Sequence, residues 1–318
     1  MKCKICKNST SLKEYTVREM MFGLKEEFLY FQCGDCNCLQ IADIPTDMQK
    51  YYPSNYYSYA PPSSNTTSGI KELLKQKRNS YAVFNKGVLG KLMYKRFPSV
   101  EFRSLSEVPL TKDSKILDVG CGSGGFLLEL QKIGFKNLSG VDPYVDKDIE
   151  YDNGLKIYKK SIHEVEEKKD VIMFHHSFEH LSDPLETLQS VSKLLNKEGY
   201  CIIRVPTTSS YAWKHYKENW VQFDAPRHFF IYSKESMYFL ADKTSLILKK
   251  IVYDSTGFQF WGSEQYLKDI PLRDAKSYAN NPEESIFSDS EIKAFEAKAK
   301  ELNDKGEGDM CAFLLMKI

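Results

Sequence analysis

Nowhere in its 318 residues does the chain carry an apolar run approaching the ~18 residues that a membrane-spanning helix needs. Its start, Met1-Lys2-Cys3-Lys4-Ile5-Cys6-Lys7, offers no apolar stretch that could act as a secretory signal. A soluble, cytoplasmic protein with no membrane partner is expected. An excess of one charge is lacking as well: 44 Lys and Arg face 43 Asp and Glu, and a net charge of +1 gives no field to draw the whole chain to a polyanion. A dedicated nucleic-acid coat is therefore not expected. A 42% apolar share over this length supports a buried core and excludes disorder as the main state. Twenty Tyr lift the aromatic share to 13%, and such amphipathic rings suit either packing or a substrate cleft.

Five of the eight Cys fall early, as Cys3-Lys4-Ile5-Cys6 and Cys33-Gly34-Asp35-Cys36 followed by Cys38. Each C-x-x-C turn lets two thiolates reach one ion, and two such turns complete the tetrahedral set that Zn²⁺ prefers. Tyr15, Val17, Met20, Met21, Phe28, Tyr30 and Phe31 between the pairs read as short strands. Residues 1–45 are thus expected to form a zinc ribbon, with Cys3, Cys6, Cys33 and Cys36 as ligands and a structural role for the metal. Cys38 is a spare thiol that could replace Cys36. A disulfide pair is the competing reading, which a reducing cytosol disfavours. Cys121, Cys201 and Cys311 sit far apart in apolar surroundings and read as core residues.

From Thr46 to about Thr67 the chain is rich in Pro, Ser and Tyr, which marks a domain boundary. Tyr51, Tyr52, Tyr56, Tyr57 and Tyr59 could pack this linker onto a neighbouring surface or lid a site. Helical spacing of Ile70, Leu73, Leu74, Val83, Phe84, Val88, Leu89, Leu92 and Met93 predicts one or two surface helices. There is no internal repeat. Three segments result: the ribbon at 1–45, linker and helices at 46–100, and a domain over 101–318 in which strand, turn and helix alternate. That alternation predicts an α/β fold with a parallel sheet covered by helices.

Lys115-Ile116-Leu117-Asp118-Val119 reads as a buried strand, Gly120-Cys121-Gly122-Ser123-Gly124-Gly125 as a turn, and Phe126-Leu127-Leu128-Glu129-Leu130 as a helix that Gly134 ends. Gly120, Gly122 and Gly125 also satisfy the G-x-G-x-x-G dinucleotide fingerprint. Asp118 discriminates, because a carboxylate at the strand end would repel a pyrophosphate and suit an ammonium. After a second apolar segment, Asp142-Pro143 supplies an acid placed to accept both hydroxyls of a ribose. A ribose with an ammonium describes S-adenosylmethionine. A nicotinamide cofactor and a turn that only packs helix on strand are the competing readings.

At these residues the chain resembles the class I S-adenosylmethionine-dependent methyltransferases. The resemblance implies a Rossmann-like sheet of seven strands with the last antiparallel. It extends to Leu155-Lys156-Ile157-Tyr158, to Ser161-Ile162, to a fourth strand Asp170-Val171-Ile172-Met173-Phe174, and to His175-His176-Ser177-Phe178-Glu179-His180 at that strand's carboxyl end. Asp183-Pro184-Leu185-Glu186 then reads as a capping box opening a helix with Leu185, Leu188, Val191 and Leu195 as its stripe and Gly199 as its end. Tyr200 to Pro206, Leu246 to Val252 and Met310 to Met316 supply the last strands, with a helix from about Ser290 before the final one. By resemblance the cofactor contacts are Asp118, Gly120, Cys121, Gly122, Gly124, Phe126, Asp142, Pro143, Ser161, Ile162 and His176. The amino-terminal C-x-x-C pairs, Tyr-Tyr-Pro and Tyr-Tyr-Ser-Tyr in the linker, Glu179-His180, and Asp224-Ala225-Pro226-Arg227-His228 look like the zinc-ribbon methyltransferases of cell-surface polysaccharide and antibiotic-sugar synthesis.

Methyl transfer to a hydroxyl needs alignment and a base. Glu179-His180 and His228, beside Arg227 and Asp224, gather His and acid at two places on the ligand edge. His180 or His228 is the expected general base, oriented by Glu179 or Asp224. Arg227 could fork onto a substrate phosphate or carboxylate, or instead pair with Asp224 to fix its loop. Asp224, Arg227 and Tyr57 are the expected substrate contacts. The acceptor is expected to be a small molecule, a sugar or nucleotide sugar. A divalent metal at the His-rich edge is conceivable with Glu179, but no second carboxylate pair at ligand spacing supports it. His163 and His215 read as surface residues. Trp213, Trp220, Phe223, Phe258, Phe260 and Trp261 are candidate walls for a ring or core residues. RNA or protein methylation and a non-catalytic binding protein are the alternatives. Against RNA stand the balanced charge and the lack of an Asn- or Asp-Pro-Pro-Tyr segment after the fourth strand.

Overall fold

The computed structural model describes residues 1–53 and 69–318. Tyr57, with Tyr56, Tyr59 and the Pro61-Pro62 pair, lies outside the described residues. At the amino terminus β1 (Leu12–Arg18) and β2 (Glu27–Cys33) pair antiparallel, Leu12 opposite Cys33 and Arg18 opposite Glu27, and β3 (Leu39–Ile41) follows on β2. Tyr15 and Val17 alternate inward from β1 while Glu14 and Thr16 face solvent, as the two-residue period of a half-covered strand dictates. The expected surface helices are α1 (Gly69–Phe84) and α2 (Val88–Arg96).

The third segment then winds as β4 (Lys115–Val119), α3 (Gly125–Lys132), β5 (Asn137–Val141), β6 (Ile149–Glu150), β7 (Lys156–Tyr158), β8 (Lys169–His175), α4 (Pro184–Leu194), β9 (Leu195–Pro206) and α5 (Tyr211–Tyr216). It continues as β10 (Phe230–Ile231), α6 (Lys234–Asp242), β11 (Leu246–Tyr253), α7 (Phe258–Leu267), α8 (Asp289–Lys305) and β12 (Met310–Lys317). The main sheet has the order β11-β12-β9-β8-β4-β5-β7-β6. Its middle strands are parallel, and β12 runs antiparallel between β11 and β9. Strand order reverses at β4, so the carboxyl ends of β4, β5 and β8 open the crevice in which such sheets take ligands. Ile116, Leu117, Ile172, Met173, Phe174, Ile203 and Phe313 are buried within the sheet's two apolar layers.

Four expectations change. Among the described residues the main sheet has eight strands, not seven, because the two-residue β6 adds an antiparallel edge on β7. Gly199 does not end a helix: α4 stops at Leu194 and the chain enters β9 at once, so Gly199 lies within the strand, close against the Asp170 carbonyl. The Asp183 capping box is not made, since the Asp183 carboxylate accepts instead from Ser182 Oγ at 2.9 Å and Pro184 opens the helix without needing a cap for its missing N–H. The amino-terminal sheet is not a separate module either. Its fourth strand is β10, paired with β3 through Phe230 and Gln40, so residues 1–45 and the third segment share one sheet.

A buried ion cluster ties the same parts together. The guanidinium of Arg227, fully buried, donates from Nη2 to Glu19 Oε1 at 2.8 Å and to Asp224 Oδ1 at 2.6 Å, from Nε to Asp224 Oδ1 at 2.9 Å, and from Nη1 to the Tyr51 carbonyl at 3.3 Å. Arg227 is therefore not the substrate fork: each nitrogen of its guanidinium donates within the protein, the side chain is fully buried, and the loop-fixing alternative is the one realised. Removing it would leave the buried Glu19 carboxylate and the partly buried Asp224 carboxylate uncompensated. Arg227→Ala is expected to cost about 3–5 kcal/mol in urea denaturation; a loss below about 1 kcal/mol would contradict the clamp.

Candidate active site

The turn after β4 is shaped by glycines in conformations that side chains resist. Gly120 has φ +72°, and a Cβ there would stand 2.5 Å from the Ser177 Cβ. Gly124 caps α3 at φ +80°, and its Cβ would meet Ile157 Cδ1 at 2.6 Å. Gly125 has nothing within 4 Å of such an atom. The third glycine of the dinucleotide fingerprint is needed for close helix-on-strand packing. Gly124 meets that need here and Gly125 does not, which removes the steric reason for the fingerprint reading.

The turn lines a cleft of about 1510 Å³ at the carboxyl edge of the sheet. That exceeds the roughly 300–1,000 Å³ of a site for one small ligand, so a cofactor and an acceptor both have room. Asp118, Gly120, Cys121, Gly122, Phe126, Asp142, Pro143, Ser161, Ile162 and His176 all line it. Gly124 does not, and serves packing beneath the turn. Asp142 Oδ2 accepts the Gly122 N–H at 2.8 Å and Oδ1 the Tyr144 N–H at 2.9 Å. Each oxygen keeps a lone pair, so the carboxylate could also accept ribose hydroxyls. Asp118 is buried, and among the described residues its Oδ1 has no hydrogen-bond partner. Burial, and then the nearby Asp142, pushes its carboxyl well above the usual range. An ammonium at that point would supply the missing partner. The residues present therefore fit S-adenosylmethionine.

Across the cleft, β8 ends in His175 and His176. Arg204 Nη1 donates to His175 Nε2 at 3.3 Å and also to His176 Nε2, while Arg204 Nε donates to Asp254 Oδ2 at 2.6 Å. Burial, and then the Arg204 charge, holds the His175 imidazole well below its usual range. The second His and acid group lies beside them. His180 Nδ1 sits 2.7 Å from the Arg227 carbonyl and His228 Nδ1 2.8 Å from the Gln222 carbonyl. A carbonyl only accepts, so both Nδ1 atoms carry a proton, and the lone pair of the neutral tautomer this selects lies on Nε2. The His228 Nε2 lies 3.9 Å from Glu179 Oε1 and 3.7 Å from Asp224 Oδ2. His180, His228 and Asp224 line the cleft, and Glu179 is wholly buried behind them. Asp224 holds a left-handed backbone at φ 42°, ψ 47°, which aims its carboxylate back at both Arg227 and His228. His163 lies on the cleft rim, hydrogen-bonded to Ser190 Oγ at 2.8 Å, and His215 is on the surface. Trp213, Trp220, Phe223 and Phe260 are core residues, whereas Phe258 reaches the cleft.

Away from the cleft, one sulfur from each of Cys3, Cys6, Cys33 and Cys36 lies within 4.8 Å of the others, a set that could hold a metal ion. Cys3 and Cys36 are 3.5 Å apart and Cys6 and Cys33 3.4 Å. The hydrogen bond with Cys36 draws the Cys3 thiol down, to about 4. Cys38 stands outside this group, its Sγ donating to the Leu39 carbonyl at 3.4 Å.

Residues 94–246, just under half of the chain, match a family model described as a methyltransferase domain. A curated relative, a tRNA U34 carboxymethyltransferase from Sulfurimonas denitrificans, is 32% identical over 109 residues, 29% of this chain. The chain spans about a third of that relative's length, 34%. Among solved structures, a cyclopropane synthase from Mycobacterium tuberculosis is 15% identical, with 80% of this chain and 100% of that chain covered at a TM-score of 0.45. An S-adenosylmethionine-dependent methyltransferase from Archaeoglobus fulgidus is 19% identical, covering 72% and 99% at a TM-score of 0.42.

Sequence reasoning missed Glu19, Arg204 and Asp254. Glu19 carried one signal, an acid set against the apolar Met20-Met21-Phe22; Arg204 and Asp254 meet only through β9 and the end of β11. Gly120→Ala is expected to destabilise the chain by about 1–3 kcal/mol, since it combines a left-handed φ with a close contact. Gly125→Ala should be neutral or stabilising. Thermal unfolding of the two variants checks this, and equal losses would contradict the assignment of the packing role to Gly124.

Proposed function

We propose that the chain transfers a methyl group from S-adenosylmethionine to a small-molecule acceptor, a sugar or nucleotide-sugar precursor of a surface polysaccharide or natural product. The observation that carries this reading is the pairing, in one cleft, of the buried, unpartnered Asp118 beside the glycine turn with the His180, His228 and Asp224 edge opposite. Bound S-adenosylmethionine supplies an electrophilic methyl on a sulfonium, whose leaving group needs no protonation. Asp118 would take the cofactor's ammonium and Asp142 its ribose hydroxyls, which fixes the donor's direction. Pro143, Ser161, Ile162 and His176 would wall it on the sheet side. A hydroxyl on the far side would meet the Nε2 of His228 or His180 as proton acceptor, with Glu179 and Asp224 behind those rings. Asp224 also presents Oδ2 to the cleft as a substrate contact, while Oδ1 stays on Arg227.

An RNA acceptor is the second reading, favoured by the tRNA-modifying relative. The two are separated by methyl-tritiated S-adenosylmethionine offered with a panel of nucleotide sugars or with unmodified tRNA. Label on a sugar supports the first reading, and label on RNA alone would replace it with the second. Failure to bind S-adenosylhomocysteine at all would sink both.

We also propose that Cys3, Cys6, Cys33 and Cys36 bind one structural Zn²⁺, since four thiolates at tetrahedral spacing are the donor set that ion selects. Cobalt-substituted protein should show thiolate-to-metal charge transfer that Cys36→Ser weakens and Cys38→Ser leaves intact. The opposite order would make Cys38 the ligand.

A further inference from the structure

The acceptor side of the cleft holds more acid than its one buried guanidinium balances. The wholly buried Glu19 and Glu179 and the partly buried Asp224 bring three carboxylates to a cluster with Arg227 alone. Glu19 is satisfied by Arg227 and by the backbone N–H groups of Phe22 and Leu24. Asp224 spends Oδ1 on Arg227. Glu179 is left: it is wholly buried, and among the described residues neither carboxylate oxygen has a hydrogen-bond partner. Buried polar groups are satisfied as a rule, and a carboxylate kept dry without a partner is costly. Two imidazoles stand near it, His176 Nδ1 at 3.7 Å and His228 Nε2 at 3.9 Å, too far for hydrogen bonds. One ligand atom from each of Glu179, His180 and His228 lies within 4.8 Å of the other two.

We propose that Glu179, His180 and His228 form a binding site for a divalent transition-metal cation on the acceptor side of the cleft. Both imidazoles are prepared as ligands: Nδ1–H of each donates to a backbone carbonyl, Arg227 for His180 and Gln222 for His228, which fixes the rings and leaves Nε2 as the lone-pair nitrogen. That second layer of hydrogen bonds is the usual support of a metal-bound His. Atoms 3.9 Å apart, as measured from His228 Nε2 to Glu179 Oε1, can share one ion at ordinary ligand lengths of about 2.0–2.2 Å. Two excess carboxylates match a double positive charge. Mixed imidazole and carboxylate donors select Mn²⁺, Fe²⁺ or Zn²⁺ over Mg²⁺, whereas the thiolates of the amino-terminal cluster discriminate against Mn²⁺. With both Nε2 atoms on the ion neither imidazole is free to accept a proton, so the ion would take over that part by polarising an acceptor oxygen and lowering its pKa beside the incoming methyl group. This last role rests on the proposed methyl transfer, while the binding itself does not.

Mn²⁺ titration of the full chain, followed by its electron paramagnetic resonance, tests the site directly. The expected result is one bound Mn²⁺ per chain with nitrogen couplings from imidazole. Glu179→Gln and His228→Asn should each weaken binding at least ~10-fold while S-adenosylhomocysteine still binds. No bound Mn²⁺ at millimolar concentration, or bound Mn²⁺ without nitrogen coupling, would overturn the proposal, as would affinity unchanged in both variants. The nitrogen coupling is read on the unaltered protein, so the test stands if a variant fails to fold. Loss of S-adenosylhomocysteine binding in the unaltered protein would instead strike the methyl-transfer reading.

Discussion

Burying a guanidinium is tolerable only when carboxylates meet it, and Arg227 draws one from its own loop and one from far away in the sequence. Glu19 comes from the turn after β1, and Asp224 from the loop that also carries His228. The Tyr51 carbonyl adds the segment leading into the linker. One side chain therefore fixes where the amino-terminal sheet sits, where the approach to the linker runs, and how the acceptor loop is folded. β10, three residues after Arg227, continues the same junction as backbone pairing with β3. The amino-terminal segment and the start of the linker thereby wall the cleft: Met21 from the first, and Met48, Gln49 and Tyr52 from the second, line it alongside the glycine turn.

The clamp has a chemical consequence on the other side of the loop. With Oδ1 of Asp224 held by Arg227, Oδ2 is left facing His228, and the Arg227 carbonyl is left to receive His180 Nδ1. Burial raises the Asp224 carboxyl, but the Arg227 and His228 charges outweigh it and hold the group below its usual range. Burial likewise draws His228 down to about 4, so its imidazole is neutral at ordinary pH. The cleft thus faces an acceptor with lone pairs on the loop side and, on the sheet side, with a turn built for a cation and a ribose. Those two halves come from elements separated in sequence by about a hundred residues, and only the sheet's strand order brings them together.

Much of the sheet side was legible in the residues. Lys115 to Val119 is a strand as its apolar run indicates, and Asp118 and Asp142 stand at adjacent strand ends because a parallel sheet aligns those ends. The glycine turn carries its own conformational demand in its composition. The loop side was legible only in kind. His180, His228, Asp224 and Glu179 could be nominated by residue type, but which carboxylate meets which cation depends on Glu19, an acid on no motif. Arg227 was ambiguous for that reason: from its neighbours alone, a fork for substrate and a clamp for the loop look the same. The strand β10 escaped because two residues carry no periodicity, and β6 for the same reason. The tail of α4 misled because Leu195 continues the helix's apolar spacing while its backbone already belongs to β9.

The central claim is that the glycine turn with Asp118 and Asp142 is a seat for a sulfonium nucleoside. Calorimetric titration with S-adenosylhomocysteine and with NADH, on the unaltered chain and on Asp142→Ala, addresses it most directly. The account predicts binding of the sulfur nucleoside, none of NADH, and a loss of at least ~10-fold in affinity when Asp142 no longer meets the ribose. Binding of NADH in preference, or affinity for S-adenosylhomocysteine indifferent to Asp142, would contradict it.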